Sequence, residues 1–232
     1  MHTETVHVDG GAFEMPVWTP AKGTGPGLLV IQEIFGVGPY IRAVAAALAD
    51  LGYVVGAPDL FWRLHPHWAA GHDDEGLAAS IDLGSRFDFD TGVKDCVAAL
   101  GRLAALPQVT GGTGVLGFCL GGSLAHVVAA VAEPAVAVSF YGSAVPELVH
   151  LLDSIDCPTQ YHFGGSDPYI PRDQIAVVER AVAGRPLVEL HVQEEAGHAF
   201  HNFEAPRFHD PRAADAAWGL TVDFLRRHLP AG

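Results

Sequence analysis

The sequence predicts an α/β fold, a mostly parallel sheet with helices on both faces, preceded by a hairpin at the N-terminus. Short apolar runs alternate with segments of helical periodicity along most of the chain, and the runs are continuous, as in strands buried on both faces. The 232 residues suit one domain of this class, and no linker rich in Pro, Gly and Ser divides them. We therefore expect a single domain over 1–232, without a separate cap domain.

The first half of the chain supplies the hairpin and one strand-helix-strand unit. In chain order we expect strands at 3–8, 13–18 and 27–31, a helix at 41–51 and a strand at 53–57. The turn sequence Asp9-Gly10-Gly11 joins the first two strands, and Gly52 ends the helix.

The second half repeats the alternation of strand and helix. Here we expect helices at 91–105, 120–132, 173–183 and 212–229, and strands at 114–118, 135–141, 159–163 and 187–192. Residues 60–88 carry no clear periodicity, so we expect an irregular excursion that acts as a partial lid and holds Phe61, Trp62 and Trp68. The functional loops of such a sheet follow the carboxyl ends of its strands.

Composition excludes several classes of function. A formal net charge of −14 and the lack of a basic stripe argue against a nucleic-acid partner. No run of 18 or more apolar residues is present, so we do not expect a membrane protein, and without a secretory signal the expected location is the cytoplasm. Three cysteines without a CxxC pair predict neither a disulfide framework nor a zinc ribbon.

The most informative motif is Gly117-Phe118-Cys119-Leu120-Gly121, at the junction of a strand and a helix. It matches the GxSxG nucleophile elbow with cysteine in place of serine. The glycines allow a tight turn, and the N-terminus of the next helix favours a thiolate at Cys119. The alternative is a small buried residue in a turn. Cys96 and Cys157 lack this setting and are interpreted as packing residues.

Two later strand ends offer the partners of a catalytic triad. Asp167 follows the strand at 159–163 and His198 follows the strand at 187–192, in the chain order of elbow enzymes. His198 would accept the thiol proton and Asp167 would orient its ring. A metal site at His198, His201 and His209 is the weaker alternative, because no HExxH motif or carboxylate completes it. The histidines interpreted as surface or loop residues are His2, His7, His65, His67, His72, His209 and His228.

Glu33 is unusual because it follows a buried apolar strand. It is either a solvated loop residue or a carboxylate that points into the site with a perturbed pKa. The backbone N–H of Ile34 lies where elbow enzymes draw one oxyanion donor, and Leu120 would supply the other.

The chain resembles the dienelactone hydrolase family over nearly its whole length. The segments that carry the resemblance are 32–36, 58–60, 87–88, 92–93, 117–122, 165–167, 197–200 and the closing helix. The resemblance implies the α/β-hydrolase fold and hydrolysis of a lactone or ester through an acyl-cysteine, with Cys119, Asp167 and His198 as the triad. It also implies that Glu33 contacts the resting thiol and helps to release the thiolate when substrate arrives.

Three positions depart from the family pattern. Asn202 stands where the family has an arginine that holds a substrate carboxylate, and Leu77 and Ile81 stand near the positions of its other carboxylate-binding residues. In this chain, Arg63 or Arg86 would have to bind a substrate carboxylate instead of the family's residues at these positions. An ester or lactone other than the dienelactone is therefore at least as well supported as a substrate.

Two other functions stay open on the sequence alone. A cysteine in place of serine also suits a non-catalytic or redox-sensing thiol protein of the same fold. Acyl transfer to an alcohol or amine is the third candidate. In every case the partner is a small molecule, no cofactor is required, and the chain is expected to be a monomer or a small homo-oligomer.

Overall fold

The computed structural model describes residues 1–232 and contains one eight-stranded mixed sheet with six α-helices. The strands are β1 (His2–Val8), β2 (Gly11–Trp18), β3 (Gly25–Ile31), β4 (Val54–Gly56), β5 (Val109–Phe118), β6 (Ala137–Phe140), β7 (Thr159–Gly164) and β8 (Val188–Gln193). The helices are α1 (Pro39–Asp50), α2 (Asp74–Ser85), α3 (Phe89–Ala104), α4 (Leu120–Ala132), α5 (Arg172–Val182) and α6 (Pro211–His228), with a short 3-10 helix at Val149–Ser154. The predicted α/β class and the N-terminal hairpin are confirmed.

The strand order places the functional loops at one edge of the sheet. The order is β1-β2-β4-β3-β5-β6-β7-β8; β1, β2 and β4 pair antiparallel, and all pairs from β4 to β8 are parallel. From β3 the chain passes to β4 on one side and later to β5 on the other. The strand order therefore reverses direction at β3. Ligands of open α/β sheets bind where the strand order reverses, beyond the carboxyl ends of the strands. Glu33 and Cys119 follow these two strand ends.

The continuous apolar runs are explained by a core on each face of the sheet. In β3, Leu28 and Val30 pack on the face covered by α1 and α6, whereas Leu29 and Ile31 pack on the face covered by α3 and α4. All four side chains are fully buried, so both faces of the strand exclude water. No helix is long and apolar enough to cross a bilayer.

The excursion at 60–88 differs from expectation, because it contains the twelve-residue helix α2. The sequence did carry a start signal: the Asp73 side chain caps the helix by accepting a hydrogen bond from the N–H of Gly76 at 2.8 Å, and Asp74 and Glu75 lie in the first turn. Only Ser80 and Leu83 of α2 are buried, so its apolar periodicity is weak. The expectation of an irregular segment was therefore wrong.

A buried histidine makes the folded state sensitive to acid. His201 is 7% exposed, and its Nδ1 forms a hydrogen bond of 2.7 Å with the Tyr40 hydroxyl. Desolvation by burial, and to a lesser degree the nearby His209, lower the pKa of His201 to about 4. The neutral ring stabilises the fold above the ordinary pKa of about 6.5, and we expect this contribution, about 3 kcal/mol, to be lost as pH falls towards 4.

The measurement is the free energy of urea-induced unfolding on both sides of that pH range. In acid, the free energy of unfolding should fall less steeply for His201→Phe than for the wild type. Some acid sensitivity should remain in the variant, because burial also lowers the pKa values of His126 and His162. A pH dependence unchanged in His201→Phe would contradict the prediction.

Candidate active site

Cys119 occupies a strained turn between β5 and α4. Its backbone has φ 54° and ψ −116°, outside the regions that most residues adopt. A Cβ on Gly117 would lie 1.9 Å from the carbonyl oxygen of Gly121, and a Cβ on Gly121 would lie 2.3 Å from that of Ile31. The turn therefore requires glycine at both positions, which is the physical basis of the GxCxG motif.

The three residues expected to form a triad lie together. His198 Nε2 is 3.2 Å from Cys119 Sγ, and His198 Nδ1 is 2.7 Å from Asp167 Oδ2. The other oxygen of Asp167 accepts hydrogen bonds from the backbone N–H groups of Tyr169 and Ile170 at 2.8 and 3.2 Å. The carboxylate is therefore fixed on both oxygens and can hold the imidazole ring in one orientation.

The electrostatics of the site favour a charged imidazolium. Desolvation by burial lowers the pKa of His198, but the charge of Cys119, the hydrogen bonds to Asp167 and Cys119, and the charge of Asp167 together raise it to about 10. A protonated ring beside sulfur stabilises a thiolate, as does the N-terminus of α4. The arrangement can therefore hold a thiolate-imidazolium pair.

The two backbone groups expected to form an oxyanion hole follow the carboxyl ends of β3 and β5. Leu120 is the first residue of α4, where amide groups lack a partner within the helix. The N–H of Ile34 donates no hydrogen bond, while its carbonyl accepts one from Trp68 Nε1 at 3.1 Å. Ile34 and Cys119 line the same cavity, and Leu120 follows Cys119 directly in the chain, so both N–H groups are candidates for binding a carbonyl oxygen.

Glu33 lies in the site but makes no hydrogen bond to the thiol. Its side chain is 2% exposed, and its Oε1 accepts a hydrogen bond from Asn202 Nδ2. No hydrogen bond joins it to Cys119, whose sulfur faces His198 instead. The solvated-loop alternative for Glu33 is therefore wrong, and the contact with the resting thiol that the resemblance implied stays a prediction.

His72 is a site residue that the sequence analysis missed. Its Nε2 lies 3.0 Å from Asn202 Nδ2 and 3.6 Å from Glu33 Oε1, and its side chain is only 9% exposed. The ring packs against Phe35 with a centroid distance of 4.2 Å. His72 lies in the loop before α2, as expected, but its side chain is buried in the site rather than exposed at the surface.

A cavity of about 170 Å³, partly open to solvent, surrounds these groups. It is lined by Glu33, Ile34, Phe35, Leu77, Ile81, Cys119, Ser143, Tyr169, His198, Ala199 and Phe208. Leu77 and Ile81 therefore lie in the site, as their placement near substrate-binding positions implied. Nothing in the sequence indicated Ser143 or Phe208, whereas Tyr169 is only two residues beyond Asp167.

No arginine or lysine side chain lines the cavity. Arg63 is paired with the buried carboxylate of Asp95, and Arg86 with Asp82 at 3.0 Å one helical turn away. Neither arginine replaces the missing carboxylate-binding residues, which corrects that expectation.

The histidines considered as metal ligands point to different partners. His201 bonds to Tyr40, whereas His198 bonds to Asp167 and Cys119. No group of three or more His, Cys, Asp or Glu side chains is arranged to hold a metal ion. Cys96 is fully buried against α4 and the sheet, Cys157 is half-buried beside the same core, and burial raises the pKa of both thiols.

Comparisons with known proteins find relatives that match nearly the whole chain. The model of the "Dienelactone hydrolase family" matches residues 13–229. A carboxymethylenebutenolidase of Pseudomonas sp. (strain P51) is 34% identical, covering 100% of this chain and 98% of the relative. A probable 2-oxo-3-(5-oxofuran-2-ylidene)propanoate lactonase of Bradyrhizobium sp. is 32% identical, with coverage of 99% and 98%.

Solved structures of similar proteins cover almost the whole chain. A putative dienelactone hydrolase from Klebsiella pneumoniae superposes with a TM-score of 0.82 at 25% identity and covers 97% of this chain and 98% of its own. A dienelactone hydrolase-like promiscuous phosphotriesterase from metagenomic libraries has a TM-score of 0.79 at 22% identity, with 98% of each chain covered, and shows the shared fold alone.

Proposed function

This chain belongs to the dienelactone hydrolase family, and on that premise we propose that it hydrolyses a carboxylic ester or lactone through an acyl-cysteine intermediate on Cys119. The observation that carries the proposal is the continuous contact from sulfur to imidazole to carboxylate, 3.2 Å and 2.7 Å long. A nucleophile, a base and an orienting acid in hydrogen-bond contact are the parts that covalent acyl transfer requires.

In the first half of the reaction, the thiolate of Cys119 attacks the carbonyl carbon of the substrate. The carbonyl electrons move onto oxygen, which the N–H groups of Ile34 and Leu120 stabilise. When the tetrahedral species collapses, the carbon–oxygen bond to the leaving group breaks. His198 gives its proton to the departing alkoxide, which in a lactone stays attached to the acyl group as a hydroxyl.

In the second half, water replaces the alcohol. His198, now neutral, takes a proton from water as the oxygen attacks the thioester carbon. The carbon–sulfur bond breaks, the acid is released, and the imidazolium again faces the thiolate. The net change is one ester bond and one water converted to one acid and one hydroxyl. Asp167 keeps Nδ1 protonated and the ring oriented throughout.

The lining of the cavity favours an uncharged substrate. Leu77, Ile81 and Phe208 form apolar walls, and Glu33 adds negative charge. Tyr169 and Ile81 are 57% and 51% exposed at the mouth, where an apolar group of the substrate can pack. A substrate carboxylate would lose hydration without gaining an unpaired cationic partner, because His198 is already paired with Asp167 and Cys119 and no arginine or lysine lines the cavity; this loss is costly.

We therefore predict that kcat/KM for an uncharged ester exceeds that for the matching carboxylate-bearing ester by at least about tenfold, or about 1.4 kcal/mol. Leu77→Arg should reduce this difference in kcat/KM between the two esters, because it places a cation on the cavity wall. Leu220→Arg is the matched control, since it adds the same charge on the exposed face of α6 and should leave the ratio unchanged. A wild-type preference for the carboxylate would contradict the prediction.

The covalent intermediate itself can be tested by mass spectrometry. Acid quenching of the enzyme during turnover of a p-nitrophenyl ester should leave one acyl group on the peptide that contains Cys119. If the acyl group is found on another residue during turnover, that residue and not Cys119 is the nucleophile. A folded protein that turns over neither such esters nor a dienelactone, but whose thiol oxidises reversibly, would favour a redox-sensing role instead.

A further inference from the structure

The loop at residues 32–36, which carries the N–H group of Ile34, is held in place by the excursion at 60–88. We propose that Gln32 and Trp68 are positioning residues, which orient the Ile34 N–H for the oxyanion without touching the substrate. The inference rests on the proposed function, because the oxyanion forms only when Cys119 attacks a carbonyl group. Its test combines ester turnover with alkylation of Cys119, so that the two proposals can fail separately.

The direction of the Ile34 N–H is set by the carbonyl group of the same peptide bond. In a planar trans peptide, the C=O of residue 33 and the N–H of residue 34 point in opposite directions. The Glu33 carbonyl oxygen accepts hydrogen bonds from the backbone N–H of Gly36 at 3.1 Å and from Gln32 Nε2 at 3.3 Å. These two donors therefore orient the Ile34 N–H, which has no acceptor within the protein.

The Gln32 amide is itself fixed by its oxygen. Oε1 accepts a hydrogen bond from the backbone N–H of Leu60 at 3.1 Å, which directs Nε2 towards the Glu33 carbonyl. The Gln32 side chain is fully buried, so water does not compete for these bonds. One amide thus joins the end of β3 to the first residue of the excursion.

Trp68 holds the following part of the loop from the same excursion. Its indole Nε1 donates a hydrogen bond to the Ile34 carbonyl at 3.1 Å, and the backbone N–H of Ala70 donates one to the Phe35 carbonyl at 3.1 Å. Gly36 lies so close that a Cβ there would be 1.9 Å from the carbonyl oxygen of Trp68. The excursion therefore contacts the loop on both sides of the Ile34 N–H.

Neither Gln32 nor Trp68 lines the cavity, so their effect on the reaction is indirect. A backbone donor stabilises the oxyanion only if it is fixed where the charge develops, and small displacements of such groups are costly to the rate. A loosened loop would weaken the donation from Ile34. It would leave the contact between Cys119 and His198 unchanged, because both residues belong to other loops.

The variant Trp68→Phe keeps an aromatic ring and removes the indole donor. For a p-nitrophenyl ester we expect kcat and kcat/KM to fall by the same factor, about tenfold, because the lost interaction is made only in the transition state. Alkylation of Cys119 by iodoacetamide requires the thiolate but creates no oxyanion, so its rate should stay within about twofold of the wild type. Trp218→Phe is the matched control, since it makes the same substitution on α6 beside a separate cavity and should change neither rate.

Gln32→Met provides a second route if Trp68→Phe does not fold. Methionine has a similar length but neither donates to the Glu33 carbonyl nor accepts from Leu60. Because Gln32 acts on the peptide that carries the Ile34 N–H, we expect a loss of kcat at least as large as in Trp68→Phe. Alkylation should again stay near the wild-type rate.

Wild-type kcat in either folded variant would overturn the proposal for that residue, as would a rise in KM at unchanged kcat. Alkylation slowed by the same factor as turnover would also overturn it, because the elbow itself would then have moved. If the wild type is alkylated at Cys119 but hydrolyses no ester, the proposed function fails and this inference fails with it. Turnover by the wild type that both variants retain in full contradicts the inference alone.

Discussion

Replacing Cys119 with alanine is expected to lower kcat for ester hydrolysis by at least about 10⁴-fold, because loss of the nucleophile removes the covalent pathway. The pair of contacts proposed to activate the sulfur, from Cys119 to His198 and from His198 to Asp167, has no substitute elsewhere in the cavity. Any residual rate reflects binding and the oxyanion donors alone. The measurement is steady-state hydrolysis of a p-nitrophenyl ester by the purified, folded variant.

Two further variants control for the loss of a thiol as such. Cys157→Ala removes a half-buried thiol that lies outside the cavity, so its turnover should match that of the wild type. Cys119→Ser keeps an oxygen nucleophile beside His198, but a hydroxyl is far less acidic than a thiol and should remain well below the wild type. Unchanged turnover in Cys119→Ala would rule out this nucleophile.

The sequence predicted the parts of the fold that repeat a simple pattern. Strands buried on both faces appear as continuous apolar runs, and the five helices that pack against the sheet show helical periodicity. The helix α2 lacks this signal because it covers the end of the sheet rather than its face. There its Leu77 and Ile81 meet the cavity instead of the core.

Within the site, the residues at strand ends could be placed from the sequence. Parallel strands bring their carboxyl ends to one edge, so Cys119, Asp167 and His198 were expected to meet there. The environment of Glu33 could not be predicted, because it depends on side chains from three separate segments. Asn202 and His72 are 130 residues apart in the chain, and no local pattern records that the amide of one contacts the ring of the other.

The second large effect is expected at Gly117, where alanine should destabilise the protein by about 3 kcal/mol or more. The added Cβ would lie 1.9 Å from the carbonyl oxygen and 2.3 Å from the carbonyl carbon of Gly121. Both obstacles are backbone atoms, so no change of rotamer relieves them. The elbow would have to open, which moves Cys119 as well. Thermal or urea-induced unfolding measures the stability, and iodoacetamide reactivity measures the displacement of the sulfur.

Gly101→Ala is the matched control, because it makes the same glycine-to-alanine substitution at a position where the added Cβ overlaps no other atom. Gly101 lies inside α3, and a Cβ added there would meet nothing within 4 Å. Since alanine favours the helix over glycine by about 1 kcal/mol, Gly101→Ala should stabilise the protein slightly. The opposite signs expected for one substitution at two glycines follow from the local geometry. Equal effects at both positions would show that the close approach at the elbow does not require glycine.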